Sequence, residues 1–444
     1  MTIGFSFTRE EKSWILYDVA NSAFVLIIVT TLMPLFFKDV ASQGVPDAES
    51  TANWAFATSL ASLILAVSAP FLGTFADYAG WKKRFFAFFL LAGVAGTLLL
   101  PSVGMGQWLW CLVLYIFAKV CYSGANLFYD AFLVDVTTDE RMDWVSASGF
   151  GWGYIGSVIP FLLVMVFLFF GGVGEGDAGA MPAGAARVAF IITAVWWLAF
   201  SIPMLRRVRQ RHAIASVDRP VREAVARLWH AVTHIRRYRQ AFLFLLAYFF
   251  YIDGVDTVIT MATAYGRDLG LGVTTLVLVV LFIQIVAFPF ALLYGRLAAA
   301  TSARTMIFVG IGVYAVITAL AFFLPVIPDM STRIALFWVL ALLVASSQGG
   351  IQALSRSFFG KLIPKEKSAE FFGFYNIFGR FATILGPLMM GLFGRLTGHS
   401  RYGVLAILPL FLLGGLILTR VKAGAAGGAV AGQIPEDASR TGKE

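Results

Sequence analysis

Charge is what this sequence is short of. Only 13% of its 444 residues are charged, while 59% are hydrophobic and the mean hydropathy is +0.81. A soluble domain is about 25% charged and about 45–50% apolar. A globule with so little polar surface would not stay wetted, which excludes a soluble fold and makes the bilayer the solvent. Cysteine is nearly absent as well. Cys111 and Cys121 lie inside one apolar run, which excludes a disulfide framework. The four histidines, His212, His230, His234 and His399, all fall between apolar runs, so no metal or catalytic cluster is expected. The chain lacks a phosphate-binding G-x-x-x-x-G-K-S/T loop, an H-E-x-x-H pair and a G-x-S-x-G elbow. The N-terminal residues lack a basic stretch leading into an apolar core, so no cleaved signal peptide is expected and the first span directs insertion.

What is present is a series of apolar runs. A membrane-crossing helix needs about 20 mostly apolar residues. Twelve stretches qualify: 14–37, 52–74, 85–101, 108–133, 146–170, 187–205, 241–262, 273–293, 305–325, 334–356, 369–393 and 402–420. The third and twelfth are shortest, which leaves eleven as an alternative. The net charge of +9 could suggest nucleic acid, but the basic residues sit in short blocks between the runs. With the N-terminus placed in the cytoplasm, 26 of the 34 Lys and Arg fall on that side. This positive-inside bias predicts an inner-membrane protein with both termini cytoplasmic.

The largest basic block, 206–240, holds ten Arg and divides six spans from six. Within it Val221, Val225, Leu228, Val232 and Ile235 recur at helical spacing, which predicts an amphipathic surface helix; a solvated tether is the alternative. The predicted units are therefore 1–205, the connector 206–240, and 241–422. The Gly/Ala-rich and then polar tail 423–444 is expected to be disordered. The halves also repeat. The loop starting at Gly73 and containing Asp77, Gly80, Lys82 and Lys83 matches one starting at Gly295 and containing Arg304, 222 residues later.

The 73–83 loop resembles the Gly-x-x-x-Asp-Arg-x-Gly-Arg-Lys/Arg signature of the major facilitator superfamily, with Tyr78 and Trp81 in place of two arginines. Three further stretches are similar to the UMF1, Atg22-like permease branch. They are Trp14 to Phe24, Tyr129-Asp130-Ala131, and Gln348 to Ser357 with Glu370 to Tyr375. The resemblance implies an all-α integral membrane fold of twelve transmembrane helices in two six-helix halves, with spans 1, 4, 7 and 10 around a central cavity. It also implies a gating role for Gly73, Asp77, Gly80 and Lys82, in which the Asp caps a neighbouring helix. For the fungal members it implies amino-acid efflux.

Ionisable groups inside spans are the informative residues, because a mid-bilayer charge costs about 2.5–3.5 kcal/mol and by default faces a cavity. Lys119 lies midway in span 4, Arg380 in span 11, and Asp253 and Asp256 in span 7. Helical spacing puts polar neighbours on the same faces. Asp18 joins Asn21, Lys119 joins Tyr122, Asn126 and Asp130, Gln348 joins Gln352 and Ser355, and Asn376 joins Arg380. The expected substrate-binding set is Asn21, Lys119, Asn126, Gln348, Gln352, Asn376 and Arg380. The expected proton-coupling set is Asp18, Asp253 and Asp256. In the sharpest form of this reading, Lys119 and Arg380 face the Asp253/Asp256 pair across one cavity and hold a zwitterion.

Blander roles fit the same letters. Asp18 and Asn21 fit a helix-joining role, including a bond to a cation in the other half. Asp130 and Asp135 fit solvated interface positions, and the glutamines fit interhelical hydrogen bonds. Gly151, Gly153 and Gly156 match a dinucleotide fingerprint, but in an apolar span their spacing predicts close helix packing.

The expected function is that of a secondary transporter, not an enzyme, moving small polar solutes by alternating access. A drug or lipid exporter would need a broad apolar cavity, and a sensor or scaffold would need no polar stripe on every cavity helix. The expected partners are a small-molecule substrate, protons and membrane lipids, with no nucleic acid and no cofactor or metal, and the chain is expected to act as a monomer.

Overall fold

The computed structural model describes residues 6–170, 183–215, 238–271 and 273–422. With no water to satisfy backbone groups in a bilayer, an apolar chain closes its hydrogen bonds within helices. Among the described residues, twelve helices are long and apolar enough to cross a membrane. We number them α1 (Arg9–Ala41), α2 (Phe56–Ala76), α3 (Trp81–Ser102), α4 (Trp108–Val136), α5 (Met142–Phe167), α6 (Ala183–Arg207), α7 (Arg239–Ala262), α8 (Leu278–Ala300), α9 (Ala303–Val326), α10 (Met330–Leu362), α11 (Lys365–Thr397) and α12 (Arg401–Leu418). The described residues thus hold twelve such helices, not eleven. No β-strand forms among the described residues. An even number of crossings returns the chain to the face it started from, here called the terminal face.

Local sequence explains how α1 begins. Thr8 accepts the Glu11 N–H at 3.1 Å, while the Glu11 carboxylate accepts the Thr8 N–H at 2.8 Å. This reciprocal cap satisfies two donors that a helix start leaves open. Glu11 also accepts from Arg141 at 2.8 Å, which ties α1 to the loop before α5. Further along, Phe24–Leu32 and Phe37–Ala41 widen into π-helix. The Thr30 and Thr31 hydroxyls donate to carbonyls five residues back, following the wider turn.

Glycines set the closest helix crossings. A side chain on Gly73 would run into the Ala369 carbonyl, and one on Gly373 would stand 2.9 Å from the Ala69 carbonyl, so α2 and α11 touch backbone to backbone. A Cβ on Gly153 would lie 2.6 Å from Ser22 Oγ, and one on Gly156 would lie 2.6 Å from Val19, both on α1. Gly151 faces Phe288 of α8. The three glycines therefore pack helices together, as their setting in an apolar span requires. The pairs α2–α11 and α5–α8 join the first six spans to the last six.

The last two spans are broken by turns of two or three residues. α11 runs as Ser368–Phe381 and then Leu385–Thr397, and α12 as Ser400–Leu405 and then Leu408–Leu418. The start of the connector is ordered against the 73–83 loop. Ile214 N donates to the Asp77 carbonyl at 2.8 Å, and Gln210 Oε1 accepts from Gly80 N at 3.0 Å. The amphipathic helix expected in the connector and the tail from residue 423 lie outside the described residues.

Candidate substrate cavity and gate

A cavity of about 860 Å3 lies between the first and last six spans. Asp18 and Asn21 of α1, Asn126 and Asp130 of α4, Asp256 and Thr260 of α7, and Gln348, Gln352 and Arg356 of α10 line it. Its walls then continue away from the terminal face through Val29, Thr30, Tyr265 and Phe337. Four helices thus each contribute a polar stripe, because residues three or four apart share a helix face.

Arg356 forms the floor. It is 3% exposed and donates to Asp18 Oδ2 and Asp130 Oδ1, both at 3.2 Å. Its Nε donates to Ser146 Oγ at 3.0 Å. The guanidinium sits over the rings of Trp14 and Phe150, 4.6 and 4.5 Å from their centroids. Tyr129 donates to Asp18 at 2.6 Å and Asn21 donates to its other oxygen at 3.3 Å. A buried arginine between two carboxylates and aromatic faces is stable only with all partners in place. It also clamps α10 onto α1, α4 and α5.

Below this floor, toward the terminal face, further bonds join the two sets of six helices. Lys361 meets Asp143 at 2.7 Å. The Asp77 carboxylate accepts the N–H groups of Ala369 and Glu370 at 2.8 and 3.0 Å, capping the first segment of α11. An ionised carboxylate at a helix start satisfies open donors and opposes the positive end of the helix dipole. Burial nevertheless pushes the Asp77 carboxyl up to about 7; nearby Lys82 works against that rise and Glu370 adds to it. Gly80 takes a left-handed φ of +79° before α3, a conformation glycine adopts without a Cβ penalty. Lys82 is fully buried and bonds Asp135 at 2.7 Å and Ser368 Oγ at 2.8 Å. Lys82 thus makes the bond across the halves where Tyr78 and Trp81 stand in place of the signature arginines. Gly73, Asp77, Gly80 and Lys82 are brought together at this one layer.

Several expected positions differ. Lys119, Arg380, Asp253 and Asp256 make no direct ion pair with one another among the described residues, although Arg380 acts electrostatically on both Lys119 and Asp256. Three residues along a helix differ by about 60° in direction, enough to separate the aspartates. Asp256 faces the cavity, whereas Asp253 is fully buried and accepts the Gly386 N–H, capping the second segment of α11. Lys119 and Arg380 stand beside the cavity rather than in its lining: Arg380 donates to Ser123 Oγ at 2.6 Å, and Lys119 lies over the Tyr115 ring. Asn376 donates back to the Phe372 carbonyl at 3.0 Å and also stays out of the lining. Asp135 is not solvated. It is 1% exposed because the connector covers it, with the backbone N–H groups of Arg211 and His212 donating to it. Asp130 is drawn into the Arg356 clamp.

Arg356 is the residue the sequence reading missed as a site residue. Gln348 and Gln352 are followed four residues later by Arg356, so the stripe on α10 continues into it. A span ending at 356 leaves this residue at the membrane edge, with Ser355 completing the stripe. The helix in fact runs to Leu362.

The sequence profile of a family described as "Vacuole effluxer Atg22 like" matches residues 8–426. The chain is 48% identical over 419 residues to an uncharacterized MFS-type transporter, YxiO, of Bacillus subtilis, covering 94% of this chain and 95% of that one. It is 21% identical over 481 residues to autophagy-related protein 22 of Saccharomyces cerevisiae, covering 90% and 89%. Among solved structures, the proton:xylose symporter XylE bound to 6-bromo-6-deoxy-D-glucose superposes with a TM-score of 0.70 at 12% identity, over 93% of this chain and 95% of that one. The transporter FucP in its outward conformation gives 0.70 at 12% identity, over 94% and 98%. These two likenesses concern the fold.

Proposed function

The chain belongs to the vacuole effluxer Atg22-like family of the major facilitator superfamily, and from that premise we propose that it exports amino acids from the cytoplasm by proton-coupled alternating access. The terminal face, with its basic connector, is the cytoplasmic side of a bacterial inner membrane in this reading. The cavity then faces outward, and the Arg356, Lys361, Asp77 and Lys82 bonds are the closed inner gate.

One observation carries the reading. Asp256 presents a carboxylate with no hydrogen bond or ion pair among the described residues to a cavity whose lining also carries the amides Asn21, Asn126, Gln348 and Gln352, the Arg356 clamp and apolar side chains. A free carboxylate in a partly dehydrated space can hold an ammonium group or a proton, and the amides can hold the remaining polar groups of a small solute. Binding one excludes the other, which is the requirement for exchanging solute against proton. Asp18, held by Arg356 and Tyr129, acts in the gate rather than as a free proton site, and Asp253 acts as a helix cap.

The test uses proteoliposomes loaded with labelled neutral amino acids and given an imposed pH gradient. The intact protein is expected to move solute against its gradient, and Asp256→Asn to retain exchange while losing the pH-driven component. Gradient-driven transport that survives Asp256→Asn ends the coupling proposal. Absence of any amino-acid movement ends the substrate proposal.

A further inference from the structure

Two cations, Lys119 buried and Arg380 half-buried, have no place in the gate or in the cavity wall. Lys119 is 8% exposed, and its ammonium group makes no hydrogen bond or ion pair among the described residues; its neighbour is the Tyr115 ring, 5.6 Å away. One turn along α4, Ser123 accepts from Arg380 of α11 at 2.6 Å. Arg380 is thus brought to the face of α4 that carries Lys119, close enough for the two cations to repel. No carboxylate lies within 4 Å of either among the described residues. The other deeply buried cations are matched: Lys82 has Asp135, and Arg356 has Asp18 and Asp130.

Holding two like charges together out of water is unfavourable unless an anion completes the site. Asp256 and Asp130 both act electrostatically on Arg380, but neither makes an ion pair with it among the described residues. Lys119 and Arg380 come from opposite sets of six helices, so whatever bridges them also bridges the two halves. The surrounding groups are hydroxyls: Ser123 beside Arg380, with Tyr115 and Tyr122 nearby. Arginine presents a planar fork that matches a carboxylate, and a lysine adds a point charge.

We propose that Lys119 and Arg380 form an anion subsite beside the central cavity that takes a small oxyanion of the carboxylate class. The ligand is either the carboxylate of the transported solute or a free anion bound with it. The subsite itself stands on the two unmatched cations. The choice between sources alone rests on the amino-acid reading above.

The experiment follows thermal unfolding of the purified full-length protein in detergent, titrated with sodium acetate against sodium chloride at matched ionic strength. Acetate is expected to raise the unfolding midpoint saturably. Lys119→Met and Arg380→Gln are each expected to need at least tenfold more acetate for the same rise, and Arg380→Lys to lie between them and the intact protein. If alanine competes with acetate while alanine methyl ester does not, the subsite receives the solute's carboxylate. If alanine and acetate raise the midpoint additively, the anion is separate. A midpoint that acetate moves no more than chloride overturns the subsite, as does an acetate response unchanged in both Lys119→Met and Arg380→Lys. Failure of amino-acid transport in liposomes leaves this titration unaffected, so the two proposals fail separately.

Discussion

Arg356 and the Lys119–Arg380 pair both place positive charge inside the helix bundle, yet they are built in opposite ways. Arg356 sits between two carboxylates, a serine and aromatic faces, with its partners supplied by the protein. Lys119 and Arg380 have one serine hydroxyl and one tyrosine ring between them. A charge whose partners are all internal acts as a clamp. A charge left without an internal counter-ion is available to something that arrives. Asp253 and Asp256 repeat the contrast among acids: Asp253 is occupied by a helix start, and Asp256 is open to the cavity.

The largest effect should come from breaking the clamp. Arg356→Met leaves Asp18 and Asp130 buried without a cation, and a loss of about 3–5 kcal/mol is expected. Thermal unfolding should show a large drop, partly recovered when Asp18→Asn is added. Lys119→Met should do the reverse and raise the midpoint in low-anion buffer, since it removes an unmatched charge. A drop of equal size at both sites would erase the distinction between clamp and subsite.

Next in size is the contrast between the two aspartates. Asp256→Asn should cut pH-driven transport at least tenfold while shifting stability within about 0.5 kcal/mol, as for a site with no structural partner. Asp253→Ala should cost about 1–2 kcal/mol of stability through the lost cap on α11. Unfolding curves and transport assays on the same two variants decide whether the roles divide this way.

The smallest effect concerns the gate at Asp77. Its carboxyl sits at about 7 when buried in the closed gate and returns to the ordinary range, near 4, when an open gate hydrates it. Between those values the closed gate holds more protons than the open one. Lowering the pH from 8 to 5 should therefore favour the closed gate, increasingly as pH falls through about 7 and levelling off near 4. Lys82 and Glu370, the charged neighbours of Asp77, oppose and reinforce this shift respectively. Crosslinking between cysteines placed at Ala79 and Lys367 should report it, rising several-fold on acidification in the Asp77 background and staying flat in Asp77→Asn.

The helices were legible because their cause is local: a run of apolar residues must span a bilayer wherever it occurs in the chain. The polar stripes on α1, α4, α7 and α10 were legible for the same reason, since helical period is a property of each segment alone. The breaks at 382–384 and 406–407 were not. They depend on what approaches from outside, such as Asp253 meeting Gly386, where a side chain on the glycine would collide with Thr257. Likewise, π-helix within α1 leaves no mark in composition.

By itself the sequence determined that this is a twelve-span membrane protein with polar faces turned inward, because burial in lipid is judged residue by residue. Only the tertiary structure decided which charge answers which. Asp18 and Arg356 meet across 338 residues, while Asp253 and Asp256, three residues apart, face different neighbours. Electrostatic energy depends on distance in space and on access to water, and helix packing sets both.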